Sequence, residues 1–374
     1  MAFVGAPLPS LASNPTSTSS HTNPIRPVTS GFFLPARPAR LTASPKTNAA
    51  RPVTPVMTFK PYTAIVTGAS SSIGLHAAKE LVARGDYHVV MAVRNIEKAK
   101  AAAEQLQMPP DSYTLLPIDL ASLASVRAFV QKFQSQFSSL NSLVCNAATW
   151  HPRDKKPRFT EDGYDETVQV NHLSHFLLAN LLLPMLKKTK GRCVFLATQT
   201  HNPDTLPGKI PPQADLGQLQ GMSSGFNTLP GTIDGKAFEP TKAYKDSKVC
   251  NILTMKEMHR RHASSGVAFT AIFPGCIAQS ELFREKRGWF RWFFPLFQKY
   301  VTRQMVPVEE AGRRVALVAS DGRFGDSGVY WQWRGSYLEG MDRTAPVPIE
   351  ATDRESEKAE MLWELSAKLV NMGA

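Results

Sequence analysis

At 374 residues with 43% hydrophobic side chains, the chain is long enough for one large domain or two ordinary domains, each with a real core. The formal net charge of +12 would suit a nucleic-acid ligand, but residues 1–60 carry four Arg, two Lys and no Asp or Glu, which leaves only +6 for the rest. That remainder lacks a basic run interleaved with aromatic residues, so the composition argues against a nucleic-acid groove.

The cysteines argue against two further classes. They form no C-x-x-C pair, so they indicate neither a disulfide framework nor a zinc site, and we predict no metal. A reducing compartment is the simpler interpretation. No apolar run approaches the roughly 18 residues of a membrane span. The four thiols are Cys145, Cys193, Cys250 and Cys276.

Residues 1–60 form a segment of their own. They are rich in Pro, Ser, Thr and Ala and lack acids, so they bury too little apolar surface to fold. This composition is typical of an organelle transit peptide, and we predict a plastid leader over 1–60 followed by one domain over 61–374. A disordered tail retained for another purpose is the alternative.

Strands and helices alternate after Pro61. The apolar run Thr63–Val66 predicts a strand, Thr67–Gly74 a glycine-bearing turn, and the stretch to Arg84 a helix. A strand, such a turn and a helix N-terminus together form a phosphate cradle, because backbone N–H groups and the helix dipole face a pyrophosphate.

The second predicted strand indicates which dinucleotide binds. Tyr87–Val93 ends at Arg94 and Asn95, where an NAD site usually places an acid for the ribose hydroxyls. A cation there suits the 2′-phosphate of NADP, so we predict NADPH as the cofactor.

Four further strands and two helices continue the alternation. The strands are Leu115–Ile118, Leu143–Cys145, Cys193–Ala197 and Ala268–Phe273, and the helices are Val168–Leu186, which contains Asn171, and a helix from the Tyr244 region to about His262. This βαβ series predicts an α/β fold, a single Rossmann-like doubly wound parallel sheet.

Tyr244 and Lys248 are spaced for joint chemistry. Four residues apart on a helix, their side chains lie on one face. A free phenol has a pKa of about 10, and a neighbouring ammonium favours the phenolate. Taken alone, the pair also fits two ordinary surface residues.

The motifs occur in the order of the short-chain dehydrogenase/reductase family, which the chain resembles from Pro61 onward. They are a T-G-x-x-x-G-x-G loop from Thr67 that has Ser72 at its second glycine, Asp119-Leu120, Asn146-Ala147-Ala148, Tyr244-x-x-x-Lys248 and Pro274-Gly275. With this resemblance, the predicted cofactor-binding residues are Gly68, Ser70, Ser71, Ser72, Ile73, Gly74, Arg94, Asn95, Asp119, Leu120, Asn146, Ala147, Ala148, Tyr244, Lys248, Pro274 and Gly275.

A narrower resemblance is to the light-dependent NADPH:protochlorophyllide oxidoreductases. It is carried by segments such as Asn171–Leu178, Ala243–Asn251 and Ser327–Trp331. It implies light-driven hydride transfer from NADPH to a tetrapyrrole double bond, followed by protonation, in chlorophyll biosynthesis at the stroma or thylakoid surface of a chloroplast.

That resemblance also implies roles for single residues. Tyr244 would donate the proton, and Lys248 would lower its pKa and bind the nicotinamide ribose. Thr198 takes the place of a catalytic serine, and Asn171 orders a relay water. Cys276 would be an alternative proton source, although buried cysteines usually just pack in the core.

Ser72 departs from the pattern, which expects glycine where backbone approaches the pyrophosphate. A positive φ there would strain serine, while its hydroxyl would be free to bond a phosphate or cap the helix. This keeps open a catalytically inactive pigment- or nucleotide-binding protein. A light-independent NADPH reductase of a lipid or carbonyl compound is the other alternative.

Two segments remain. The narrower resemblance implies that the segment before the Tyr244–Lys248 helix is a long insert, 203–241. Its Gly/Pro-rich run Pro207–Pro240 is predicted to be a substrate lid, with a disordered insert as the alternative. The aromatic run Trp289–Phe297, flanked by basic residues, predicts pigment contact with peripheral membrane association, or a self-association face.

Overall fold

The computed structural model describes residues 61–202, 206–226, 229–277, 305–333, 344–347 and 353–372. The predicted leader over 1–60 and the aromatic run Trp289–Phe297 lie outside these residues. Among the residues described, no helix is both long and apolar enough to cross a bilayer. Within the same ranges, no group of three or more His, Cys, Asp or Glu side chains is placed to hold a metal ion.

Eight strands form one sheet in the order β3-β2-β1-β4-β5-β6-β7-β8. Strands β1 to β7 are parallel to their neighbours, and β8 is antiparallel to β7. The predicted doubly wound parallel sheet is therefore confirmed, with two strands that the sequence analysis did not list. The strands are β1 Tyr62–Thr67, β2 Tyr87–Val93, β3 Tyr113–Pro117, β4 Ser142–Cys145, β5 Arg192–Leu196, β6 Ala268–Phe273, β7 Val329–Trp333 and β8 Thr344–Val347.

Helices cover both faces of the sheet. Because both faces are covered, the central strands carry runs of consecutive buried apolar residues, as in β1, where Ala64, Ile65 and Val66 are all fully buried. The described helices of ten or more residues are α1 Ser72–Ala83, α2 Ile96–Gln105, α3 Leu123–Gln136, α4 Ser174–Thr189, α5 Pro240–His262, α6 Val308–Ser320 and α7 Asp353–Leu369.

The predicted helix Val168–Leu186 is not continuous. A turn at Glu166–Val168 leads into a π-helical segment, Gln169–Leu173, before α4 begins. Such segments replace the regular helical bond pattern and often occur at functional sites. This one carries Asn171.

The described part of the insert packs against the main core. Leu216, Leu219, Met222, Phe226 and Ile233 are buried in the same apolar cluster as α3, α4 and α5. The Phe226 ring also meets the Tyr164 ring edge-on, with centroids 6.2 Å apart. Burial of this kind is what a disordered insert lacks.

Candidate functional site

Every predicted site residue lies at the carboxyl edge of the sheet or on a helix facing it. The strand order reverses between β1 and β4, whose successors in the chain lie on opposite sides. Open α/β sheets bind ligands at this point, because the two neighbouring loops diverge there and leave a crevice.

In the glycine turn after β1, side chains at Gly68 and Gly74 would clash with neighbouring atoms. Gly68 has a φ of +66°, and a Cβ there would lie 3.0 Å from the Ala147 backbone. A Cβ on Gly74 would lie 2.4 Å from the Asn146 amide nitrogen and 2.6 Å from the Gly68 carbonyl oxygen. Because only glycine fits at these points, the loop and the α1 N-terminus can approach a pyrophosphate closely.

Ser72, the first residue of α1, has a φ of +49°. Its hydroxyl oxygen is buried without a hydrogen-bond partner among the residues described. The hydroxyl thus does not cap the helix, which was one of the two compensations expected from the sequence. The other, a bond to a bound phosphate, remains a prediction, and an orphaned donor at this helix N-terminus is suited to it.

Ser72→Gly is expected to stabilise the protein and tighten NADPH binding by up to about tenfold. Serine at positive φ costs about 1–3 kcal/mol, partly offset if its hydroxyl bonds a phosphate. Fluorescence titration and urea unfolding measure both effects. Ser71→Gly is the matched control, because Ser71 is extended at φ −168° and has no strain to release. A glycine variant at position 72 that gains neither affinity nor stability would contradict this assignment, and a natural chain that binds no NADPH until Ser72 is replaced would favour the inactive alternative.

The residues that follow β2 and β3 contribute a cationic side chain and two side chains that shape the adjoining turns. Arg94 is exposed at the end of β2 and makes no ion pair with the described residues. The Asn95 side chain caps α2 by accepting the Lys98 N–H at 2.8 Å. Asp119 accepts the Ala121 N–H at 3.0 Å and so shapes the turn after β3. Leu120 accepts a hydroxyl bond from Ser174 through its carbonyl.

Thr67 joins the ends of β1 and β4. Its hydroxyl oxygen accepts the backbone N–H groups of Asn146 and Ala147 at 2.9 and 3.0 Å. The Asn146 side chain returns a bond to the Thr67 carbonyl at 2.7 Å. Ala148, next in the chain, is exposed. The loop after β4 is therefore fixed against the glycine turn.

The Asn171 side chain is bonded inside the protein through both its oxygen and its nitrogen, and its predicted role in ordering a relay water remains a prediction. Its oxygen accepts the Thr149 N–H at 2.8 Å, and its nitrogen donates to the Thr149 carbonyl at 3.1 Å and the Ser247 hydroxyl at 3.0 Å. Ser247 in turn donates to the Tyr244 carbonyl at 2.7 Å. Asn171 thus connects the loop after β4 to α5.

Tyr244 and Lys248 lie on one face of α5, as their spacing predicts. The Lys248 ammonium is 5.7 Å from the centre of the Tyr244 ring and donates to the Leu196 carbonyl at 3.2 Å. Lys248 is buried, and burial lowers its pKa to about 8.

Burial, and not Lys248, has the largest effect on the Tyr244 phenol. The Trp150 ring lies 5.4 Å from the Tyr244 ring, and burial raises the pKa of Tyr244, with a smaller contribution from Cys276. The sequence argument expected the ammonium to lower this pKa. The phenol is instead kept protonated at neutral pH, which suits a proton donor.

Cys276 follows β6 at the same edge of the sheet, and its thiol makes a smaller electrostatic contribution to the raised pKa of Tyr244. Burial raises the pKa of the Cys276 thiol to about 12, so this group also keeps its proton at neutral pH. Thr198, at the end of β5, accepts the Thr200 N–H at 3.3 Å. The candidate donors from β6 and α5 therefore share one region.

Arg314 of α6 supports the Pro274–Gly275 turn. It is buried, donates to the Pro274 carbonyl at 3.1 Å and pairs with Glu310 at 2.8 Å. A Cβ on Gly275 would lie 2.4 Å from Val306, so this turn also requires glycine.

Sequence reasoning missed several residues that complete the site. They act through tertiary contacts and belong to no spaced motif that would mark them. Two of them were within quoted segments, position 175 in Asn171–Leu178 and position 247 in Ala243–Asn251, but neither was assigned a role there. The missed residues are Thr149, Trp150, His175, Ser247 and Arg314.

Comparisons with known proteins agree with this architecture. Residues 62–203 match the model of the short chain dehydrogenase family. The solved Pseudomonas aeruginosa RhlG/NADP active-site complex superposes with a TM-score of 0.53 at 18% identity, covering 74% of this chain and 96% of that one. The 3-ketoacyl-(acyl-carrier-protein) reductase from Brucella melitensis superposes with a TM-score of 0.51 at 20% identity, covering 72% of this chain and 96% of that one. At these identities the likeness supports the fold alone.

Curated relatives are much more similar in sequence. A chloroplastic protochlorophyllide reductase of Chlamydomonas reinhardtii is 48% identical, over 85% of this chain and 80% of its own length. Protochlorophyllide reductase A of Arabidopsis thaliana, also chloroplastic, is 46% identical, over 84% and 78%. The predicted plastid location is confirmed by these relatives. The chain belongs to the protochlorophyllide reductase family of short-chain dehydrogenases and is an oxidoreductase with a nicotinamide cofactor.

Proposed function

We propose that this protein reduces protochlorophyllide to chlorophyllide in a light-dependent reaction with NADPH, in chlorophyll biosynthesis in the plastid. The observation that carries the proposal is the 46–48% identity to proteins named protochlorophyllide reductase, over about 80% of their length. The juxtaposition of Tyr244, Lys248 and Cys276 at the sheet edge supports it chemically.

The chain's own residues have distinct parts in the proposal. NADPH supplies the hydride when bound. Tyr244 holds the proton for the neighbouring carbon of the pigment, because burial keeps its phenol protonated. Lys248 holds the nicotinamide ribose. Asn171, with both amide atoms bonded, keeps the loop after β4 and α5 in register.

The residues at the sheet edge fit a dinucleotide. Gly68 and Gly74 leave space that a Cβ would fill, and the buried Ser72 hydroxyl faces no partner among the described residues. The exposed Arg94 cation at the end of β2 favours the 2′-phosphate of NADP over the free ribose hydroxyls of NAD.

Arg94→Ala is expected to weaken NADPH at least tenfold and leave NADH almost unchanged. A charge-assisted contact to a phosphate contributes about 1.5–3 kcal/mol, and NADH has no phosphate at this position. Titration of both cofactors against the wild type and the variant measures the difference. An equal loss for the two cofactors would assign Arg94 a general role instead.

We also propose that the insert over 203–241 is a lid over the pigment. Its described part packs on the core and is bonded to α5, which supports an ordered segment near the site. The aromatic run Trp289–Phe297, by composition, is proposed to contact pigment and the membrane surface or a second copy, and residues 1–60 to be the transit peptide.

Illumination separates the proposed function from its main alternative. Purified protein with NADPH and protochlorophyllide is expected to form chlorophyllide in light and none in darkness. Equal product in the dark would indicate a light-independent reductase. No product under either condition, with both ligands bound, would indicate a binding protein without turnover.

A further inference from the structure

A buried histidine of α4 lies between the nucleotide turn and the catalytic helices. His175 is fully buried, and its Nε2 is 2.9 Å from the Thr67 hydroxyl oxygen. Its Nδ1 is 3.2 Å from the Asn171 carbonyl oxygen. His175 therefore forms hydrogen bonds with two parts of the site: Thr67 belongs to the glycine motif, and Asn171 belongs to the π-helical segment.

The hydrogen bonds determine the tautomer of His175. A carbonyl only accepts, so Nδ1 carries the proton and donates to Asn171. In the neutral ring Nε2 then accepts, and the Thr67 hydroxyl donates to it. Burial, and after it the charge of Lys248, lowers the pKa of His175 to about 4, which keeps the ring neutral at physiological pH.

This tautomer organises the turn around Thr67. With its proton given to His175, the Thr67 oxygen has its lone pairs available for the N–H groups of Asn146 and Ala147. The other Thr67 contact, to the Val144 carbonyl, is longer at 3.3 Å. Without an acceptor at Nε2, the hydroxyl would turn to that carbonyl and the turn would lose its link to α4.

We propose that His175 is a positioning residue of this reductase, which holds the nucleotide-binding turn at Thr67–Gly68 in register with the helical segment carrying Asn171. Through Asn171 and Ser247 the connection continues to Tyr244. The role of His175 in cofactor binding holds for any reaction that uses a nicotinamide cofactor. A role of His175 in turnover rests on the proposed function.

The matched control is His172, a second fully buried histidine three residues before His175. His172 is equally buried, but its Nε2 contacts the Ser366 hydroxyl at 2.9 Å on α7, away from the nucleotide turn. Burial also lowers the pKa of His172, to about 3. A leucine at position 172 therefore reports the cost of removing a buried imidazole without touching the Thr67 contact.

The test is a dark titration of NADPH by fluorescence, with urea unfolding in parallel. His175→Leu and Thr67→Val are each expected to raise the NADPH Kd about tenfold or more. The double variant should bind no more weakly than Thr67→Val alone, because that variant already deletes the bond to His175 together with the Asn146 and Ala147 contacts of the Thr67 oxygen. Thr67→Ser, which keeps the hydroxyl, should recover most of the affinity. His172→Leu should lower the urea midpoint and leave the Kd within about twofold.

Two results would overturn the proposal. One is an unchanged Kd in His175→Leu, whatever the effect of Thr67→Val, with His175→Leu merely destabilised as His172→Leu is. The other is full additivity of the two variants in the double variant. If the wild type binds NADPH but fails to reduce protochlorophyllide in light, the proposed function fails, and the Kd series still decides the role of His175.

Discussion

Tyr244→Phe is expected to lower the rate of chlorophyllide formation by about 10²–10⁴-fold while NADPH and pigment still bind. Phenylalanine keeps the ring that packs at 5.4 Å from Trp150 and deletes only the hydroxyl. Because burial raises the pKa of this phenol, the wild-type group is protonated across the working pH range and its loss removes a ready donor. Single-flash absorption changes on the dark-assembled complex measure the effect.

Cys276→Ser is the companion variant, because Cys276 is the alternative proton source that the family resemblance implies. Serine keeps a small hydroxyl, so modest loss of rate is expected if the cysteine only lines the site. The opposite pattern, a normal rate in Tyr244→Phe and failure in Cys276→Ser, would move the proton source to Cys276, whose thiol is also protonated because burial raises its pKa to about 12.

Lys242→Met is expected to release the insert and weaken pigment binding tenfold or more, with NADPH binding unchanged. The Lys242 ammonium lies 2.9 Å from Asp234 of the insert and 2.5 Å from Asp246 of α5. Both carboxylates are almost fully buried, and removing the cation of a buried pair costs about 3–5 kcal/mol, less where water reaches the site.

Lys242 and Asp246 are four residues apart and therefore share one face of α5. Each is two residues from Tyr244, which places that face on the side of the helix away from Tyr244 and Lys248. The variant therefore leaves the proposed chemical groups in place. Lys236→Met is the control, because Lys236 is exposed and its ion pairs with Asp215 and Asp234 contribute little. Pigment titration compares the two variants, and equal pigment affinity in Lys242→Met would argue against a lid.

The sheet was predictable because its signals are local. Each buried strand is a short apolar run, and the polar residues that follow the runs, such as Asp119 and Asn146, meet at one edge once the strands are parallel. Strand β7 was missed because Val329–Trp333 is a short, aromatic-rich segment at the margin of the apolar pattern.

The internal connections of the site were not predictable. Thr67 and His175 are 108 positions apart, and nothing in either segment shows that the side chains meet. The direction of the Tyr244 pKa shift depends likewise on Trp150 and on depth of burial, both properties of the folded chain. Spacing identified the Tyr-Lys pair, but only packing determines its protonation.

The most direct test uses one flash on a complex assembled in darkness from the full chain, protochlorophyllide and NADPH deuterated at the transferable position. The account predicts that protochlorophyllide absorption is replaced by that of chlorophyllide after the flash, and that the product carries deuterium from NADPH. A product without deuterium, formation of product before the flash, or an unchanged spectrum with both ligands bound would contradict it.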